Sequence, residues 1–388
     1  MIYLLLVEWL GDALRDAGLY GFVRVLEQLQ FRALLASGLS FALVLIFGKR
    51  TIRMLVRLKI GDSGATDADA LRAHTSSKAN TPTMGGVLIV GSILTSTVLL
   101  ADISQFYVLL GVIVVVWLAV LGGFDDYLKL TARQRGSGSR QGLYAWEKLI
   151  FQIGVGLLVG YFVFRQGSGE GDVRHALNLP FQKTYDGPGQ LSSTLLFLGA
   201  PAFIIIGTLM VSGMSNAVNI TDGMDGLAGG ISGIVCIGVF VLAMIAGDQA
   251  MAQYLLVPYV PGAGELAVLA GATAGACFGF LWWNCSPAQV FMGDTGALAL
   301  GGIIGYLAIV TRQEFVVLLM SGVFLLEIGS VALQVGYFKA TGGKRIFRVA
   351  PFHHHLHLGG WPEQQVVARL WIVSVLLVVV GLASLKVR

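Results

Sequence analysis

The chain is a succession of long apolar runs separated by short polar ones. Runs of about 17 to 25 apolar residues suit a helix that crosses ~30 Å of hydrocarbon. They fall at Phe31–Phe47, Met84–Ala101, Phe106–Phe124, Leu149–Phe164, Leu191–Val211, Leu227–Ala246, Leu266–Trp282, Thr295–Val310, Phe315–Phe338 and Val366–Leu385. None shows the period-two alternation of a barrel strand, so helices that satisfy their own backbone groups are predicted. The expected fold is all-α and integral to a membrane, with about ten transmembrane helices. No repeat and no long Pro- or Ser-rich linker divides the chain, so residues 1–388 are read as a single polytopic domain. Residues 1–30, with Trp9, Tyr20 and mixed charges, are expected to lie along the outer interface.

Composition sharpens this picture. The 388 residues are 55% hydrophobic and 12% charged, with a mean hydropathy of +0.77, which excludes an ordinary soluble domain. A net charge of +4 is too small to indicate nucleic acid, and none is expected as a partner. Where the charge lies is more informative. Most of the 26 basic residues follow odd-numbered spans, among them Lys49, Arg50, Arg53, Arg57, Lys129, Arg133, Lys148, Lys339, Lys344 and Arg348. By the positive-inside rule those loops face the cytoplasm, and an even number of crossings then puts both termini outside. Cys236, Cys277 and Cys285 cannot all pair, and two lie inside apolar runs, so no disulfide framework is expected.

The unusual polar residues gather at the cytoplasmic ends of the spans. A transporter would place them near the bilayer midplane; this distribution favours a catalytic face. Lys78, Asn80, Thr81 and Thr83 precede Gly85 and Gly86 at the second span, a pattern suited to phosphate oxygens or simply to capping that helix. Asp125 and Asp126 close the third span. Adjacent helical residues project about 100° apart, so the two are not expected to grip one metal ion; one carboxylate is expected to face the reacting atoms while the other orients a neighbour. A prenyl-diphosphate synthase would want a further Asp where Lys129 stands, which disfavours that reading.

Asn216, Asn219, Asp222 and Asp225 recur at steps of three between the fifth and sixth spans, with Gly223 and Gly226 allowing close approach by a ligand. Such amide and carboxylate groups suit a base, a ribose or a hydrated metal, although they also suit a turn. Asn284, Phe291 and Asp294 lead into the eighth span. A carboxylate at that helix mouth is a hard ligand for Mg²⁺, and Phe291 offers a flat face to an aromatic base or an anchor at the interface. His353, His354, His355 and His357 share a loop with Lys344, Arg345 and Arg348. No cysteine is near and consecutive histidines cannot all face one ion, so phosphate binding or proton transfer is preferred over zinc. Glu327 and Gln334 lie within the ninth span on one helical face, where an isolated charge needs a partner. The Gly- and Ser-rich stretch 133–142 is expected to be a loop without chemistry.

Taken together, KANTPTMGG from Lys78, FDDYLK from Phe124, NAVNITDGMDGLA from Asn216, WNCSPAQVFMGDTGALALGG from Trp283 and PFHHHLHLGGWPE from Pro351 resemble the bacterial phospho-N-acetylmuramoyl-pentapeptide transferases. These belong to the superfamily of polyprenyl-phosphate N-acetylhexosamine 1-phosphate transferases. The resemblance covers nearly the whole chain. It implies ten spans in the bacterial inner membrane, a cytoplasmic active site and a Mg²⁺ requirement. Its implied reaction transfers phospho-N-acetylmuramoyl-pentapeptide from its UDP derivative to undecaprenyl phosphate, giving lipid I and UMP. Matched by position, Asp125, Asp126, Asp294 and His353 form the implied catalytic set, with Asp294 the metal ligand. Lys78, Thr83, Lys129, Asn216, Asn219, Asp222, Asp225, Asn284, Phe291, His354 and His355 form the implied substrate site. The resemblance also admits a homodimer. A relative using UDP-N-acetylglucosamine is the nearest alternative, and the His run argues against it; a lipid or nucleotide-sugar transporter is a more distant one.

Overall fold

A computed structural model describes residues 1–57, 81–132, 142–167, 171–187 and 189–385. The bundle is helical: α1 (Leu29–Arg57), α2 (Gly86–Leu100), α3 (Phe106–Ala132), α4 (Ala145–Arg165), α5 (Ala200–Thr221) and α6 (Leu227–Gly247), followed by α7 (Leu266–Asn284), α8 (Gly293–Val310), α9 (Glu314–Met320), α10 (Gly322–Ala340), α11 (Phe352–Leu358) and α12 (Glu363–Ser384). Among the described residues nine of these are long and apolar enough to cross a membrane. The tenth expected span, α2, has only 15 residues, about 22 Å at 1.5 Å per residue. Lys78 and most of the Gly- and Ser-rich stretch lie outside the described residues.

Two spans differ from expectation for local reasons. The fifth was expected from Leu191 but starts at Ala200, after Gly199 and with Pro201 in its first turn, a position where the missing N–H costs nothing. The preceding residues form short antiparallel ladders, β1 (Ala176–Leu177) with β4 (Leu196–Phe197), and β2 (Tyr185–Gly187) with β3 (Gln190–Leu191). The ninth span is interrupted at Ser321, which separates α9 from α10.

Helix α8 runs through the middle of the bundle, with 94% of its apolar window buried. Small residues let its backbone meet those of its neighbours. A Cβ at Gly301 would lie 2.2 Å from the carbonyl oxygen of Met214, one at Gly305 2.3 Å from that of Met210, and one at Gly122 2.2 Å from that of Asp294. Close backbone approach of this kind is how helices associate where no hydrophobic effect separates protein from lipid. By contrast only 22% of α10 and 33% of α12 are buried, and side chains such as Leu333, Ile372 and Leu376 point outward.

The end of the bundle where α8 finishes is stitched by buried ion pairs. Arg32 reaches Glu265 at 2.8 and 2.5 Å and lies over the Tyr3 ring. Arg312 pairs with Glu314 at 2.6 Å and donates to the Ala176 carbonyl, which ties the β ladders to α8. The N-terminal segment consists of short helical turns, and its Met1 ammonium donates to the carbonyls of Val98 and Leu99 at the end of α2.

Candidate active site

At the opposite end, the start of α8 meets the last turns of α3. The first N–H groups of any helix lack intrahelical acceptors, and here a carboxylate from another helix supplies them. Asp126 Oδ1 accepts from Asp294 N at 3.1 Å, and Oδ2 accepts from Thr295 N at 3.0 Å and Thr295 Oγ1 at 2.7 Å. Negative charge at a helix N-terminus is favourable, so Asp126 fixes the place of Asp294. Gly293 makes the turn into α8 at φ +73°, where a Cβ would also lie 2.7 Å from Asp126 Oδ2. Asp126 thus orients α8, and Asp125 faces the lysines.

Asp125 and Asp294 share two ammonium groups. Lys129 Nζ lies 2.7 Å from Asp125 Oδ2 and 3.2 Å from Asp294 Oδ2; Lys148 Nζ lies 2.8 and 2.5 Å from the same atoms. Leu143 N donates to Asp125 Oδ1 at 2.6 Å, and Asn219 Nδ2 to Asp294 Oδ1 at 2.9 Å. One oxygen from each of Asp125, Asp126 and Asp294 lies within 4.8 Å of the others, a grouping that can hold a metal ion, so the two adjacent carboxylates, expected not to share an ion, come close enough to do so. Three carboxylates against two ammonium groups leave a surplus of negative charge. Oxygen donors of this kind suit a hard divalent cation that keeps water and substrate oxygens in its shell. Asp222 borders the group; burial, with the charges of Asp294 and Asp126, pushes its carboxyl up to about 7.

Other predicted residues close the loops around this centre. Asn216 donates to Gln152 Oε1 at 2.8 Å and so joins α5 to α4. Asp225 accepts from Ala288 N at 3.0 Å, while its own N–H donates to Glu363. Asn284 is buried, accepting from Gly226 N and donating to the Val290 carbonyl. Residues 82–86 run beside 291–292 through backbone bonds from Phe291 to Pro82, Gly85 to Phe291 and Gly86 to Met292. That pairing carries Thr83 next to Gly293 and leaves the Phe291 ring partly exposed.

Comparison with known proteins bears on this constellation. The glycosyl transferase family 4 model matches residues 106–312, and signature 1 of the phospho-N-acetylmuramoyl-pentapeptide-transferases matches residues 78–90. The phospho-N-acetylmuramoyl-pentapeptide-transferase of Desulfotalea psychrophila (strain LSv54 / DSM 12343) is 42% identical over 365 residues, covering 94% of this chain and 95% of that protein. The chain belongs to the phospho-N-acetylmuramoyl-pentapeptide-transferase family. It is a multi-pass membrane transferase, as its helices and its relative agree.

The histidine run of this family member divides between two tasks. His353 is buried, its Nδ1 3.0 Å from Glu327 Oε2, and its ring lies beside that of His354. Both rings approach Gly223, where a Cβ would be 2.5 Å from His353 Nε2 and 3.5 Å from His354 Nε2. His355 instead sits among Phe347 and Phe352 and accepts from Arg348 N at 3.2 Å, which anchors α11. Sequence reasoning passed over Lys148 and Gln152 as site residues. Both lie in the first two turns of α4, and the one available signal was a Lys and a Gln on the leading edge of an otherwise apolar span.

Proposed function

We propose that this chain transfers phospho-N-acetylmuramoyl-pentapeptide from its UDP derivative to undecaprenyl phosphate, releasing UMP and forming lipid I. The observation that carries the reading is the Asp125, Asp126 and Asp294 cluster with its two shared lysines, in a chain 42% identical to a transferase of that name over nearly its full length. The polar end is assigned to the cytoplasmic face, where the UDP substrate is found; the support is the basic residues that follow odd-numbered spans.

The reaction brings a phosphate monoester against a diphosphate, so positioning and charge neutralisation supply most of the catalysis. Asp294 would hold Mg²⁺, which when bound neutralises phosphate oxygens. Lys129 and Lys148, already seated between Asp294 and Asp125, supply the protein's own positive charge toward the diphosphate. Asp125 removes the remaining proton of the lipid phosphate, whose oxygen then attacks the sugar-linked phosphorus. Asp126 keeps α8 in place throughout. Asn219 fixes one oxygen of Asp294, and Phe291 stacks on the uracil.

The deciding assay follows UMP release by the detergent-solubilised protein with undecaprenyl phosphate and either UDP-N-acetylmuramoyl-pentapeptide or UDP-N-acetylglucosamine. Release with the first substrate alone is expected. Release with the second alone assigns the chain to another branch, and no release without two membrane-separated compartments points to transport.

A further inference from the structure

We propose that Glu327 is a positioning residue for the transfer: it holds His353 in the tautomer protonated on Nδ1 and turns a bare Nε2 toward the turn after α5. The inference rests on the reading above. Glu327 sits on α10 and His353 begins α11, and both are 0% exposed. One carboxylate oxygen, Glu327 Oε2, accepts the His353 backbone N–H at 3.2 Å and meets Nδ1 at 3.0 Å. An oxygen already accepting one N–H serves the ring as an acceptor too, which places the imidazole proton on Nδ1 and leaves a lone pair on Nε2.

That lone pair is not spent on the protein. Among the described residues Nε2 has no hydrogen-bond partner although it is buried, and buried polar atoms are ordinarily paired. It abuts Gly223, whose missing side chain makes room for the ring. Asp222, next in the chain, borders the carboxylate centre and feels the charges of Asp294 and Asp126. Nε2 therefore faces the rim of the carboxylate centre as an acceptor, suited to a sugar hydroxyl or a protonated phosphate oxygen of the bound substrates.

The same helix grips the His segment a second time. Gln334 Oε1 accepts from Ile346 N at 3.0 Å and Phe347 N at 2.9 Å, and its Nε2 donates to the Phe347 carbonyl at 3.1 Å. Glu327 and Gln334 are two turns apart on one face, so α10 fixes the chain before and after Pro351. A buried carboxylate that would be costly alone in a span thereby has a use beyond its own pairing.

The test measures UMP release by the solubilised full chain with Mg²⁺ and both substrates. E327A is expected to lower kcat at least about 30-fold while the nucleotide KM stays within about three-fold. E327Q, whose amide oxygen can accept both bonds, should stay within about five-fold. H353Q, which places an amide near the position of Nε2, should outperform H353N, which places one near Nδ1. E327A with H353A should be no slower than H353A alone. Near-normal kcat in E327A, or H353N exceeding H353Q, would overturn the proposal by making His353 a packing group. Should the variants fail to fold, ¹⁵N NMR of the His353 ring in the unaltered protein decides: a protonated Nε2 overturns the assignment, and a bare Nε2 sustains it. Loss of the functional reading is seen separately, as no UMP release by the unaltered protein.

Discussion

The two ends of the bundle both bury charge, and they do so in opposite ways. At the far end, Arg32 meets Glu265 and Arg312 meets Glu314, one cation to one anion, and each guanidinium also donates to a backbone carbonyl. At the near end, Asp125 and Asp294 share Lys129 and Lys148, with Asp126 as a third carboxylate beside them. Pairs balanced in this way carry no net charge to offer a ligand. An unbalanced set still has electrostatic work to do, and a phosphate-bearing substrate accompanied by a divalent cation can complete it. Burial of charge alone does not mark a site; the surplus does.

Substitutions can break that contrast. The largest effect is expected for Asp294→Asn, which removes the carboxylate held by Asn219 and both lysines: kcat should fall by about 10³-fold, the upper end of the range seen when one electrostatic stabiliser is removed. An Mg²⁺ titration of residual activity should lose its dependence, whereas wild-type turnover would strip Asp294 of its metal role. Next is Arg312→Met, which leaves Glu314 as an uncompensated buried charge and should cost about 3–5 kcal/mol of stability. Thermal unfolding in detergent reads that cost, while kcat per folded molecule should not change. A parallel loss of kcat would mean that the far end is coupled to the chemistry. The smallest is Lys148→Met, which removes one charged hydrogen-bond donor, about 1.5–3 kcal/mol. It should raise the nucleotide KM and lower kcat together, by about 10- to 100-fold in kcat/KM.

The same contrast explains what the sequence disclosed. Spans were legible because hydropathy runs depend on local composition, and Asp125, Asp126 and Asp294 stood out as carboxylates at span ends. The break at Ser321 was not legible, because Phe315–Phe338 is apolar on both sides of it. Nor was the late start of α5, where Leu195, Leu196 and Phe197 count as span residues until strand pairing claims Leu196 and Phe197. Partnerships across long separations were the hardest to see. Lys148 is 146 residues from Asp294, and no local pattern distinguishes it from any other interfacial lysine. Glu327 announced that it needed a partner without saying which, and three neighbouring histidines looked alike until packing gave His353 and His355 different surroundings.

Helix α8 sets a limit on how this protein can move. Backbone touches backbone at Gly122, Gly301 and Gly305, so the rod carrying Asp294 has no slack in which to roll, tilt or slide. It works as a fixed axle. A bulky headgroup must therefore be accommodated by side chains and loops around this rod rather than by the rod itself, and the anion cluster keeps its place as traffic passes.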